Sequence, residues 1–292
     1  MSIIERAIQK GQEGRTGKSR RATDAKADLV LEQAAAIEAS VRLCAEPLAV
    51  DSNSCRERRL LLQRSDEGDG AAVAAYRMLR TRLLHRARIK DWVTIGITSA
   101  GPNDGKTLTA LNLACSMARE KSREIVLLDM DMRNPSVCRM LGVEPKRQLR
   151  DYLEYGGGTN DLFFSAGSEN LFVAASTAPA QHASELLASP RFDQLIGVIK
   201  KGTVNPIVLM DLPPVLVTDD ALVIAPKIDA FLVVASERLT SRAELTKALD
   251  VLAEFAIAGV VLNRTTNATH GYGYNYYGYD GKDGPEKEAR EL

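Results

Sequence analysis

No apolar run in this chain of 292 residues approaches the ~20 residues that a membrane-spanning helix needs. The opening residues, with Glu5, Arg6 and Lys10 among few apolar ones, lack the pattern of a secretory signal. Both absences point to a cytoplasmic protein. An excess of one charge is also missing: 38 Lys and Arg balance 38 Asp and Glu, so net charge gives no case for nucleic acid as a partner. The cysteines Cys44, Cys55, Cys115 and Cys138 have no metal-ligand spacing and read as reduced thiols. What remains is ordinary apolar and charged content, in a chain long enough for one large α/β domain with tails.

The most informative stretch runs from Ile95 to Thr107, where an apolar strand feeds a small-residue loop ending in Gly105-Lys106-Thr107. This is the P-loop pattern, with Ala100 where its first glycine usually stands. Such a loop turns backbone N–H groups toward a polyphosphate, so Pro102, Asn103, Asp104, Gly105, Lys106, Thr107 and Leu108 are the candidate nucleotide-binding residues. Lys106 is placed to neutralise the β/γ-phosphates and the Thr107 hydroxyl to reach Mg²⁺. Val93 to Thr98 reads as a buried strand, and Thr107 to Arg119 carries apolar residues at helical spacing. Strand, loop and helix form the context that the motif requires.

Two further apolar strands end in carboxylates. Ile125 to Leu128 leads into Asp129-Met130-Asp131-Met132-Arg133, and alternation places Asp129 and Asp131 on one side of an extended chain. Ile207 to Met210 leads into Asp211, which reads as a Walker B carboxylate that holds Mg²⁺ directly or through water. Asp129 and Asp131 are candidates for orienting or deprotonating an acceptor, with Asp129 also a metal candidate. Spacing does not divide those roles. Arg133 either stabilises phosphate charge or pairs with an aspartate.

From residue 93 onward strands alternate with helices: strands at Leu171 to Ala175, Ala230 to Ala235 and Gly259 to Asn263, helices from about Ser184 to Lys200 and Ser241 to Ala256. This alternation predicts a mainly parallel sheet covered by helices on both faces, with the active site at its carboxyl edge. Residues 1–70 read as a mobile segment with short helices at Met1 to Lys10 and at 28–44, residues 71–265 as the nucleotide-binding domain, and 266–292 as a flexible tail. That tail holds Tyr272, Tyr274, Tyr276, Tyr277 and Tyr279 among glycines, which oppose helix and strand and present phenols to solvent. From composition alone it is either a surface that docks a partner or a phosphoryl acceptor.

Together these elements resemble the bacterial tyrosine kinase (BY-kinase) family, whose members combine a Walker A loop, an Asp-x-Asp-x-Arg motif, a Walker B strand and a C-terminal tyrosine cluster. The likeness covers roughly residues 72–280 and includes Ser184 to Ser189, similar to the family's Glu-Leu-Leu-x-Ser segment, and Asp220-Ala221 after Walker B. It implies a P-loop NTPase fold and a Mg²⁺- and ATP-dependent autokinase that phosphorylates its tyrosine tail. It also implies that Lys106, Asp129, Asp131 and Arg133 do the chemistry, that Thr107, Asp129 and Asp211 serve the metal, and that Asn263 contacts adenine unless it only caps its strand. The implied partners are ATP, further copies of itself phosphorylated in trans, and a membrane polysaccharide co-polymerase that recruits it to the inner membrane. The resemblance leaves room for a cognate tyrosine phosphatase. Met1 to Ala7 resembles the start of autokinases of exopolysaccharide and exosortase systems.

Two departures bear on rate and assembly. Asn103-Asp104 stands where the family usually has Gly-Glu, and Ala74 replaces the glutamate of its Glu-x-x-Arg-x-x-Arg assembly motif, although Arg77 and Arg80 are present. The competing class, partition ATPases of the ParA/MinD type, carries a second lysine early in the loop, where this chain has Gly101. A third reading is an ATP-binding adaptor of a polysaccharide exporter with weak catalysis.

Overall fold

The computed structural model describes residues 45–50, 55, 57–61, 70–159 and 161–265. Strands β1 (Glu46–Leu48), β2 (Thr94–Ser99), β3 (Ile125–Asp129), β4 (Phe164–Ala166), β5 (Leu171–Ala174), β6 (Ile207–Asp211), β7 (Ala230–Ser236) and β8 (Ile257–Asn263) form one sheet. Its order is β1-β4-β5-β3-β6-β2-β7-β8. Every pair in it is parallel except β4 with β5. The helices are α1 (Ala71–Lys90), α2 (Lys106–Met117), α3 (Val137–Leu141), α4 (Leu149–Tyr155), α5 (Ala183–Leu187), α6 (Pro190–Gly202), α7 (Asp220–Ile224) and α8 (Arg242–Val251).

The side-chain period of two splits each central strand between two cores. Ile95, Ile97, Ile125, Leu127, Ile207 and Leu209 face one core, which α1, α2 and α3 cover through Leu83, Leu111, Leu113 and Val137. Val126, Leu128, Val208, Met210, Phe231 and Val233 face the other, covered by α4 to α8 through Leu153, Leu187, Phe192, Ile224 and Ala248. Burial on both faces explains why these strands read as continuous apolar runs, as parallel sheets do. The α/β reading of the sequence is therefore correct.

Gly96, in the centre of β2, has no room for a side chain. A Cβ there would lie 2.7 Å from Leu212 Cδ1, 2.9 Å from Ile228 Cδ1 and 3.2 Å from Phe231 Cδ1. Those neighbours belong to one packed core and cannot all withdraw. Gly96→Ala is expected to destabilise the domain by about 1–3 kcal/mol through overpacking. Urea denaturation of the variant would show this as a lower midpoint, and an unchanged midpoint would contradict the packing.

Several elements differ from the sequence-based expectation. The helix expected from Ser184 to Lys200 is two helices, because Pro190 disfavours helical backbone at Ser189, whose φ is −70° and ψ 150°. Pro190 instead opens α6, a position where its missing N–H does no harm. Helix α8 stops at Val251 rather than Ala256, and the chain turns so that Phe255 meets Phe231 edge to face, with centroids 5.7 Å apart. Strand β1, Cys55 and residues 57–61 lie on the amino-terminal side of the boundary expected at 71, yet they pack on the domain. Leu61 N–H donates to Asn112 Oδ1 at 2.9 Å, and Asn112 Nδ2 donates to the Arg59 carbonyl at 3.1 Å. The short helices expected before residue 45 lie outside the described residues.

Candidate active site

The phosphate loop begins where β2 ends. Ala100 packs into the core at 1% exposure and is not among the residues with positive φ, so glycine is not required there. Asn103 takes a left-handed φ of 65°, which asparagine tolerates better than most residues. Gly105, at φ 92°, cannot be replaced so easily: a Cβ on it would stand 2.1 Å from Asn263 Nδ2. Lys106 and Thr107 then open α2, whose free N–H groups and positive dipole end favour an anion. Pro102 and Asn103 are exposed, and Leu108, in the first turn of α2, is half-buried against the core.

Carboxylates from β3 and β6 meet this helix end. Lys106 Nζ lies 2.7 Å from Asp131 Oδ2 and 3.6 Å from Asp211 Oδ1. The Thr107 hydroxyl donates to Asp211 Oδ2 at 2.6 Å and lies 3.0 Å from Ser136 Oγ. Asp129 Oδ2 accepts the backbone N–H groups of Ser136 and Val137, both at 2.9 Å. Strand alternation does not carry as far as Asp131, because β3 ends at Asp129 and Asp131 opens a turn closed by the Asn134 N–H at 3.1 Å. Asp131 reaches the loop through Lys106, whereas Asp129 connects to it through Ser136, whose Oγ meets Thr107.

Burial sets the electrostatics here. Burial alone would lower the Lys106 pKa, but Asp211 and Asp131 outweigh it and hold the ammonium above its ordinary range. Burial raises the carboxyl pKa of Asp129, with Asp211 adding to the rise. Asp211 is also raised by burial, against the opposing pull of Lys106. Asp129 Oδ1 and Asp211 Oδ1 are buried and accept no hydrogen bond. Two unsatisfied carboxylate oxygens beside a threonine hydroxyl fit a divalent cation. Among the described residues no group of three or more His, Cys, Asp or Glu could hold a metal alone. Mg²⁺ keeps waters and binds through one or two carboxylates plus substrate phosphates, a set to which Asp211 and Thr107 would contribute.

Arg133 pairs with Asp220. Its Nε donates to Asp220 Oδ2 at 2.7 Å and its Nη2 to Asp220 Oδ1 at 3.1 Å, while Ser184 Oγ donates to the same Oδ1 at 2.6 Å. The guanidinium side chain is 46% exposed and Asp220 is fully buried, so Arg133 keeps an open side near the site. Burial would raise the Asp220 pKa, but the hydrogen bonds from Arg133 and Ser184 outweigh it and hold the carboxyl below its usual value. Such a group contributes stability above the unfolded carboxylate pKa of ~3.9 and loses it as pH falls through the lower folded value. Asp220→Asn is therefore expected to melt below the wild type at pH 7, with the gap narrowing as the pH is taken below ~4. A gap that widens in acid would refute the assignment.

Sequence reasoning missed the connecting residues. Ser136 binds both Thr107 and Asp129, Ser184 and Asp220 hold Arg133, and Thr240 donates to Asp104 Oδ1 at 2.7 Å. Ser184 and Asp220 lie in stretches that resemble family segments, whereas Ser136 and Thr240 belong to no motif. Asn263 lies at the end of β8 against the loop, where its Nδ2 donates to the Asp104 carbonyl at 2.9 Å and its Oδ1 accepts the Arg264 N–H at 2.8 Å. On α1, Ala74 and Arg77 are exposed, whereas Arg80 turns inward, donating to the Ser116 carbonyl at 2.9 Å and lying 3.7 Å from Glu120. Tyr272, Tyr274, Tyr276, Tyr277 and Tyr279 lie outside the described residues.

Comparison with known proteins agrees with this geometry. A ParA-group family model, described as NUBPL iron-transfer P-loop NTPase, matches residues 92–292. Tyrosine-protein kinase CpsD of Streptococcus pneumoniae serotype 4 is 34% identical over 185 residues, which is 61% of this chain and 79% of that protein. Tyrosine-protein kinase YwqD of Bacillus subtilis is 27% identical over 205 residues, covering 70% of this chain and 85% of that protein. Among solved structures, the kinase domain of Escherichia coli tyrosine kinase ETK aligns with a TM-score of 0.61 at 26% identity, covering 79% of this chain and 94% of that domain. With a phosphate loop, a lysine and three converging aspartates on the same sheet edge, the chain belongs to the P-loop NTPases and, among them, to the bacterial tyrosine kinases.

Proposed function

We propose that the chain is a Mg²⁺- and ATP-dependent protein-tyrosine autokinase whose acceptors are Tyr272, Tyr274, Tyr276, Tyr277 and Tyr279. The observation that carries this reading is the convergence of Lys106, Thr107, Asp131 and Asp211 within hydrogen-bonding or ion-pair distance at the carboxyl edge of the sheet. Strand β8, which leads into the tyrosine-rich sequence, ends at the same edge. Phosphoryl transfer asks mainly for positioning and charge neutralisation. The loop amides and the α2 N-terminus orient the phosphates, and Lys106 neutralises them. Thr107 and Asp211 would hold Mg²⁺, which when bound neutralises charge on the β- and γ-oxygens. Asp129 or Asp131 would orient the phenol and receive its proton, as its oxygen bonds to the γ-phosphorus and ADP departs.

The acceptor is a second copy in a homo-oligomer, and the setting is control of exopolysaccharide synthesis and export. No helix among the described residues is long and apolar enough to cross a membrane. A membrane polysaccharide co-polymerase would recruit and activate the chain. Purified protein incubated with Mg-ATP should carry phosphotyrosine within residues 272–279, mapped by mass spectrometry. Nucleotide binding with no phosphate on those tyrosines would remove the kinase reading. Release of inorganic phosphate without labelled protein would favour a partition-type ATPase, against which the absent lysine at Gly101 already weighs.

A further inference from the structure

Thr240 lies far from every nucleotide motif in sequence, yet it grips the phosphate loop. It sits in the turn after β7, where its Oγ1 accepts the Ser236 N–H at 2.7 Å. That bond occupies a lone pair and directs the hydroxyl proton toward Asp104 Oδ1, 2.7 Å away. The other carboxylate oxygen of Asp104 accepts the Gly101 N–H at 3.1 Å, and its backbone carbonyl accepts Asn263 Nδ2 at 2.9 Å. Asp104 is only 3% exposed, so water cannot readily replace a lost donor.

We propose that Thr240 is a positioning residue for nucleotide binding, acting through Asp104; this rests on reading the site as an ATP site. A carboxylate within a phosphate-binding loop repels the ligand unless it is turned aside and satisfied. Thr240 and the Gly101 N–H together do this, and they fix the backbone between two left-handed residues, Asn103 and Gly105. Without the hydroxyl, Asp104 Oδ1 loses its donor, and a carboxylate free to turn would compete with a polyphosphate for the loop N–H groups.

The test is a fluorescence titration with Mg²⁺ and N-methylanthraniloyl-ADP. Thr240→Val, which keeps shape and removes the hydroxyl, is expected to weaken binding about tenfold, the effect of a lost hydrogen bond to a charged group. Thr240→Ser should bind like the wild type, and Thr240→Val should cause little further loss when Asp104 is already asparagine. Equal loss in the valine and serine variants, or an undiminished valine effect in the Asp104→Asn background, overturns the assignment and leaves a structural role. Wild-type binding with an unchanged Thr240→Val variant overturns this assignment alone. No binding by the wild-type chain overturns the ATP-site reading and this one with it.

Discussion

Lys106→Met is expected to lower phosphotyrosine formation by about 10³-fold, the upper end for loss of one preorganised charge-stabilising donor. Methionine approximates the length of the lysine stem, so the loss isolates the ammonium. The Lys106 side chain is 11% exposed, and its ammonium stands between Asp131 at 2.7 Å and Asp211 at 3.6 Å. It remains charged because the two carboxylates outweigh burial. Its removal also leaves buried carboxylates without their cation, which typically costs about 3–5 kcal/mol. The variant should therefore unfold at lower urea concentration than the wild type when nucleotide-free. Activity within tenfold of wild type would show that the loop amides and metal suffice without the lysine.

Asp211→Asn should separate function from stability. Asparagine keeps the shape and can still accept the Thr107 hydroxyl, but it binds Mg²⁺ poorly, so transfer is expected to fall about 10²–10³-fold. Stability should move the other way. Asp211 is fully buried, its Oδ1 accepts no hydrogen bond, and burial raises its pKa. Asp129 and Asp131 lie close enough to interact with it or its lysine. Removing one of three clustered negative charges should raise the melting temperature of the nucleotide-free protein by about 2–4 °C, which corresponds to about 1 kcal/mol in a domain of this size. Added Mg-ADP should then stabilise the variant less than the wild type. A variant that melts below wild type in the absence of nucleotide would mean that the Lys106 contact outweighs the repulsion.

The parts legible in the sequence were those in which one segment carries its own signal. Strands β2, β3 and β6 are buried on both faces and read as apolar runs; β2 leads through the loop to Lys106, and β3 and β6 end in Asp129 and Asp211. Strands β1 and β4 have three residues each, too few for a period to show. Asp131 was assigned through strand alternation, but it reaches Lys106 from a turn. Arg133 could not be settled from its motif because its partner, Asp220, arrives from a separate helix. Thr240 was invisible for the same reason: it meets Asp104 across 136 positions of sequence.

Strand β2 lies between β6 and β7, both made much later in the chain. The hydrogen bond that joins Thr107 to Asp211 spans 104 positions, and that between Thr98 and Pro213 spans 115. At about 5–20 residues per second, a ribosome would expose the phosphate loop roughly 5–20 s before it supplies the aspartate that completes the site. During that interval the loop strand has neither of its eventual neighbours, so nucleotide has no finished pocket to bind. Chains cut short before β6 would carry the complete Walker A sequence and remain inert, which confines any kinase action to fully synthesised domains.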